Sequence, residues 1–245
     1  MQEALNHIVF GWYPYFCLTV FLLGSLARFD REQYTWRSGS SQLLRRRELM
    51  WGSNLFHVGI LIIFAGHFVG LLTPIAVFDA LGISHPFKQM MAIVVGGVAG
   101  IACLIGMTLL VHRRLFDPRI RNNSSFGDIA ILLLLYVQLM LGLATIPISL
   151  GHLDGHEMVK FMDWVQGILT LQPGAWAIVQ DVNPIFKLHL FLGMTIFLVF
   201  PFTRLVHVWS APVWYLGRRG YQIVRTTQPA STRRPASVVH PMPAE

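Results

Sequence analysis

Ten histidines occur in the 245-residue chain, and four of them, His57, His67, His189 and His207, lie inside long apolar stretches. A polar ring in such a stretch is costly unless it has a partner or a task. There an imidazole can hydrogen-bond a neighbouring helix, handle ions, or ligate a metal through a ring nitrogen. Two of the four share one stretch and two share another, a distribution that suits iron held between imidazoles from two helices. The other six, His7, His85, His112, His152, His156 and His240, fall outside or at the edges of these stretches and read as solvated or interfacial side chains. His156 and Glu157 begin a zinc-protease pattern, but Lys160 stands where the second histidine of HExxH is required, so that pattern fails.

The elements that must position these rings follow from composition. Only 13% of the side chains are charged and the mean hydropathy is +0.54, more apolar material than a soluble domain of this length can cover. Five stretches, at residues 8–27, 51–72, 89–111, 128–148 and 185–208, reach the roughly 20 apolar residues that a bilayer-spanning helix needs. The expected fold is therefore all-α, an integral membrane bundle of five transmembrane helices. Pro14 and Pro201 predict local kinks in the first and fifth spans. The first stretch has neither a basic segment before it nor a small-residue cleavage site after it, and reads as a retained span. Cys17 and Cys103 lie in different spans without a CxxC or CxxCH pattern, so neither a disulfide framework nor a covalently attached haem is suggested, and they read as small core residues.

A net charge of +7 would fit a nucleic-acid binder, but the placement of the basic residues points elsewhere. Arg28, Arg31, Arg37, Arg45, Arg46 and Arg47 fill one connection, and Arg113, Arg114, Arg119 and Arg121 fill another. The C-terminal tail is also arginine-rich. The remaining connections, 74–87 and 149–184, carry little positive charge: Lys88 ends the first, and Lys160 lies in the second beside Asp154, Glu157, Asp163 and Asp181. The positive-inside rule then places the N-terminus outside and the C-terminus in the cytoplasm. The longer outer connection has room for a short interfacial helix around 156–171, with Trp164 and Trp176 suited to the membrane interface. Residues 1–225 are expected to form the membrane domain, and 226–245, rich in Pro, Arg, Ser and Thr, a disordered tail.

Because spans two and five run in opposite directions, depth pairs the histidines. His57 and His207 share the cytoplasmic half, and His67 and His189 share the outer half. Two transverse pairs match the ligation of two b-type haems, each iron taking one imidazole from each side. On straight helices His57 and His67 would be about 15 Å apart, but His189 and His207 about 27 Å apart. Eighteen residues return to the same helix face, whereas ten leave the rings about 80° apart. Gly66 and Gly70 flank His67, and Gly96, Gly97, Gly100 and Gly106 narrow span three, admitting either a flat macrocycle or a closely packed helix. Arg204, Arg113 and Arg114 are candidate partners for anionic haem propionates.

Several stretches resemble the gamma subunit, the cytochrome b, of membrane-bound respiratory nitrate reductases: QYTWR at 33–37, SNLFH at 53–57, GHFVG at 66–70, RRLFDPR at 113–119 and KLHLFLGMTIFLVFPFTRLVHVWS at 187–210. The resemblance runs in register to about residue 225 and keeps all four histidines. It implies a subunit of the bacterial inner membrane that anchors an iron-sulfur beta subunit and a molybdenum-containing alpha subunit. It also implies oxidation of menaquinol or ubiquinol near an outer, distal haem held by His67 and His189, and an inner, proximal haem held by His57 and His207. Lys88 and Gly66 are the implied quinol-site residues. By composition alone Lys88 would be an interfacial lysine reaching for water. Other dihaem anchors, serving formate dehydrogenases or hydrogenases, share the bis-histidine chemistry but not these stretches, and a histidine-bearing transporter would purify colourless.

Overall fold

The computed structural model describes residues 1–36, 46–211 and Gly217. The expected tail at 226–245 and the basic residues Arg37 and Arg45 lie outside the described residues. Every regular element among the described residues is helical. The first span is assembled from α1 (Gln2–His7), a π-turn (Ile8–Trp12) and α2 (Tyr13–Arg31). The wide turn lies directly ahead of Pro14, whose ring would otherwise strike the carbonyl of the preceding turn. Next come α3 (Arg46–Leu72) and the short α4 (Ile75–Ala80). In α5 (His85–Phe116) the Ser84 side chain accepts from Phe87 N at 3.4 Å. The short α6 (Pro118–Asn122) is capped by Asp117, and α7 (Phe126–Leu150) opens with a reciprocal box between Ser125 and Asp128.

The expected outer helix is present as α8 (His156–Leu169). It starts at Gly155, whose φ of +80° favours glycine, and whose Cβ, if present, would lie 2.9 Å from the carbonyl oxygen of His85. The last helix is α9 (Pro184–Val199), opened by Asn183, which accepts from Ile185 N at 3.0 Å. Five stretches, Gln2–Arg31, Arg47–Leu72, His85–Phe116, Phe126–Leu150 and Pro184–Phe202, are long and apolar enough to cross a membrane.

Residues Met1–Ser210 form one unit, in which α3 packs on α5, α5 on α7, α7 on α9 and α9 on α2. The tightest contact is α3 against α5, where glycines bring the backbones together. A Cβ at Gly59 would lie 2.7 Å from Ala99 O, and one at Gly106 would collide with Phe56 N. Gly100 likewise leaves room for Leu143 of α7, so on span three Gly100 and Gly106 serve helix packing. Gly66, Gly70 and Gly96 instead face open space.

One expectation is corrected and one is sharpened. Trp164 turns inward: it is 2% exposed, donates from Nε1 to Phe10 O at 3.0 Å, and joins a core of Phe10, Ile168, Val179 and Phe186. The amphipathic α8 turns that ring inward onto the first span, because a buried indole N–H finds a carbonyl there. The fifth span is not a continuous helix over 185–208. It ends at Val199, and a 3-10 turn (Phe200–Phe202), an extended Thr203 (φ −118°, ψ 178°) and a second 3-10 segment (Arg204–Ser210) follow. Pro201 cannot donate to the helical ladder, and the kink expected there is a break. The straight-helix spacing of about 27 Å and the shared helix face of His189 and His207 therefore do not apply.

Candidate functional site

Of the four histidines that lie in the long apolar stretches, three are tied by the same ring atom to a carbonyl of their own segment. His57 Nδ1 lies 2.7 Å from Ser53 O, His67 Nδ1 2.8 Å from Ile63 O, and His207 Nδ1 2.6 Å from Arg204 O. A carbonyl only accepts, so in each ring Nδ1 is the donor, and in the neutral imidazole that tautomer leaves the lone pair on Nε2. This is the arrangement of metal-ligating histidine, in which the backbone bond fixes both the tautomer and the ring plane.

The fourth, His189, faces His67. Their ring centroids are 6.3 Å apart with planes at 43°, although α3 and α9 are not a packed pair. Two imidazoles on one iron have centroids separated by about 6 Å, from two metal–nitrogen bonds of about 2 Å and roughly 1.1 Å from each nitrogen to its ring centre. The observed spacing matches. His189 Nδ1 is buried without a hydrogen-bond partner, an unmet polar atom that needs either a ligand or a proton acceptor. No cluster of three metal-binding side chains occurs among the described residues, whereas a macrocycle that brings its own four nitrogens needs only two from the protein. The donor set therefore fits haem. Between His57 and His207 the described residues show no ring contact. His57 is exposed on α3, and His207 is part-buried on the segment beyond the break.

Lys88 does not reach for water. It is 5% exposed, its ammonium donates to Gly70 O at 3.1 Å, contacts Met162 Sδ at 2.8 Å and lies 3.8 Å from the centre of the Phe78 ring. Gly70 is one turn from Gly66 and His67, so the lysine is joined to the helix that carries the histidine. A Cβ at Gly66 would meet nothing within 4 Å, which leaves that face of α3 open. Of the arginines, Arg114 and Arg204 each approach Asp128 at 3.7 Å, and Arg114 also donates to Ser124 Oγ at 3.1 Å. Arg113 is buried at 2% exposure.

Residues 6–227 match the model of the nitrate reductase gamma subunit family. The chain belongs to that family. It is 52% identical over 224 residues to the respiratory nitrate reductase 1 gamma chain of Escherichia coli K12, covering 91% of this chain and 99% of the relative. The respiratory nitrate reductase 2 gamma chain of the same organism is 51% identical over 226 residues, covering 92% and 99%. The nitrate reductase gamma chain of Bacillus subtilis strain 168 is 39% identical over 220 residues, covering 90% and 98%.

Two residues of α7 that sequence reasoning passed over support His189 in this gamma-subunit chain. Gln138 donates from Nε2 to His189 O at 3.1 Å and lies 3.4 Å from His189 Nε2. Gly142 sits beneath the ring. An amide within the apolar run 128–148 was the available signal, since such a group in a span needs a partner. Arg28 was also passed over, because it lies in a basic connection whose charge already has a topological reason.

Proposed function

We propose that this chain is the membrane cytochrome b subunit of a respiratory nitrate reductase, oxidising quinol on the outer side and delivering electrons to the cytoplasmic side. His67 and His189 would hold the distal haem, and His57 and His207 the proximal haem. When bound, the two haems supply one-electron carriers across the width of the bilayer. The observation that carries the reading is the His67–His189 pair, with centroids 6.3 Å apart on opposed spans. The Nδ1-to-carbonyl bonds of His57, His67 and His207 support it by leaving Nε2 of each ring available.

Menaquinol or ubiquinol would dock in the open face at Gly66, beside Lys88, whose ammonium supplies a hydrogen-bond donor to a quinol oxygen. Protons released there leave to the outside. Electrons moving inward oppose the membrane potential by about 2.3 kcal/mol per 100 mV for a full traverse, so nitrate reduction on another subunit supplies the drive and the cycle adds to the proton motive force. Arg113, Arg114 and Arg204 are the cationic partners for haem propionates. The protein partners are an iron-sulfur beta subunit and a molybdenum-containing alpha subunit, as the names of the relatives imply other chains of nitrate reductase. The location is the bacterial inner membrane, with the N-terminus outside, the C-terminus cytoplasmic, residues 1–225 as the haem domain and 226–245 as a tail.

The test is a reduced-minus-oxidised spectrum and a quinol:nitrate assay on the intact membrane complex, with and without His67→Ala. Two b-type haems in the parent, and one haem with no quinol oxidation in the variant, are expected. A colourless parent, or a variant that keeps both haems, defeats the assignment.

A further inference from the structure

The break in the fifth span leaves backbone carbonyls without helical partners, just where the chain turns toward His207. One side chain meets two of them. Arg28, at the end of α2, donates from Nη1 to Pro201 O at 2.6 Å and to Thr203 O at 2.9 Å. Its Nη2 donates to Thr35 O at 2.8 Å, and its Nε to Thr35 Oγ1 at 3.3 Å. One planar guanidinium thus joins the broken span to the segment after α2, a fork geometry that an ammonium cannot reproduce.

The neighbours of Arg28 point the same way. Gly24, one turn earlier on α2, faces Pro201 so closely that a Cβ would lie 3.0 Å from the proline ring. Phe21, a further turn back, packs edge-on against Phe200 and stacks on Trp209 at 5.3 Å. Trp36 donates from Nε1 to Ser210 Oγ at 2.7 Å, closing the far end of the segment. One stripe of α2, with Trp36 beyond its end, therefore holds residues 200–210 at both ends. Within that stretch Thr203 holds its own turn, donating to Phe200 O at 3.0 Å and accepting from Leu205 N at 3.3 Å. The residue after Thr203 is Arg204, whose carbonyl orients the His207 ring at 2.6 Å.

We propose that Arg28 is a positioning residue for His207. By holding the carbonyls of Pro201 and Thr203 it sets the path of the 204–210 segment, and through it the direction of the His207 imidazole. The inference rests on the assignment of His207 to the proximal haem. Arginine at 28 then has a task besides its charge, which any basic residue of the same connection would satisfy.

The experiment compares Arg28→Lys, Arg28→Ala and Arg31→Ala in the intact membrane complex, by optical redox titration and low-temperature spectra of the b haems. The haem that disappears in His57→Ala serves as the marker of the proximal site. Arg28→Lys keeps the positive charge and hence the topology, so the complex should accumulate. Its proximal haem signal is expected to be displaced or lost while the distal signal is unmoved. Arg28→Ala should do the same more severely, and Arg31→Ala, which removes an equal charge from the same connection, should change neither haem. The inference is overturned if both signals are unmoved in Arg28→Lys and Arg28→Ala, or if both haems are lost in equal measure. A parent complex without two b haems would instead defeat the proposed function.

Discussion

A methyl group at Gly142 would lie 3.1 Å from Cε1 of His189. Contact that tight obliges one partner to yield, and the ring is already held by Gln138 on the same helix face. Gly142→Ala favours helix formation in α7 by up to about 1 kcal/mol, so damage from this change reads on His189 rather than on α7. The expected outcome is a displaced distal haem potential in Gly142→Ala and loss of that haem in Gly142→Val, with the proximal haem retained. Redox titration of the purified complex measures both.

Lys88 is held by a carbonyl, a thioether and an aromatic ring. Lys88→Met replaces the ammonium with a flexible apolar chain that suits Phe78 and Met162, so the complex should assemble with both haems. A hydrogen bond worth about 1.4 kcal/mol corresponds to a tenfold change in affinity. Quinol oxidation is accordingly expected to show a KM raised about tenfold, or a matching loss of quinone-analogue binding. Unchanged quinol kinetics would remove Lys88 from the site.

Much of this site was legible in the sequence because its signals are local. Each span is a run of apolar residues, and a histidine within it is visible at once. The expected pairing of His67 with His189 came from their positions along two oppositely directed spans, and the two rings lie with centroids 6.3 Å apart. What was not legible depends on contacts distant in sequence. Pro201 announced a disturbance, but a kink and a full break read alike until Thr203 is seen extended, 175 residues from the arginine that holds its carbonyl. Trp164 carries a similar ambiguity: an indole in an amphipathic segment can face outward or inward, and the carbonyl of Phe10 turns it inward. The glycines of span three divided for the same reason, Gly100 and Gly106 against neighbouring helices and Gly96 toward open space.

Asp128 stands 3.7 Å from both Arg114 and Arg204 and also accepts from Ser125 N at 3.2 Å as part of the cap of α7. Asp128→Asn keeps an oxygen for the cap and removes the charge, which separates the two roles. Partly exposed ion pairs of this kind contribute about 0–1 kcal/mol each, so the fall in thermal stability should be small. The electrostatic effect has a definite sign. Arg204 lies three residues before His207 and orients its ring. With the neutralising carboxylate gone, both guanidinium groups present more positive charge to the proximal site, and adding an electron there becomes more favourable. Two unit charges about 10 Å apart at an effective dielectric near 20 interact by about 1.7 kcal/mol, which sets the upper scale. The proximal haem potential is therefore expected to rise in Asp128→Asn while the distal potential stays in place. A fall, or an equal rise at both haems, would separate Arg114 and Arg204 from the proximal propionates.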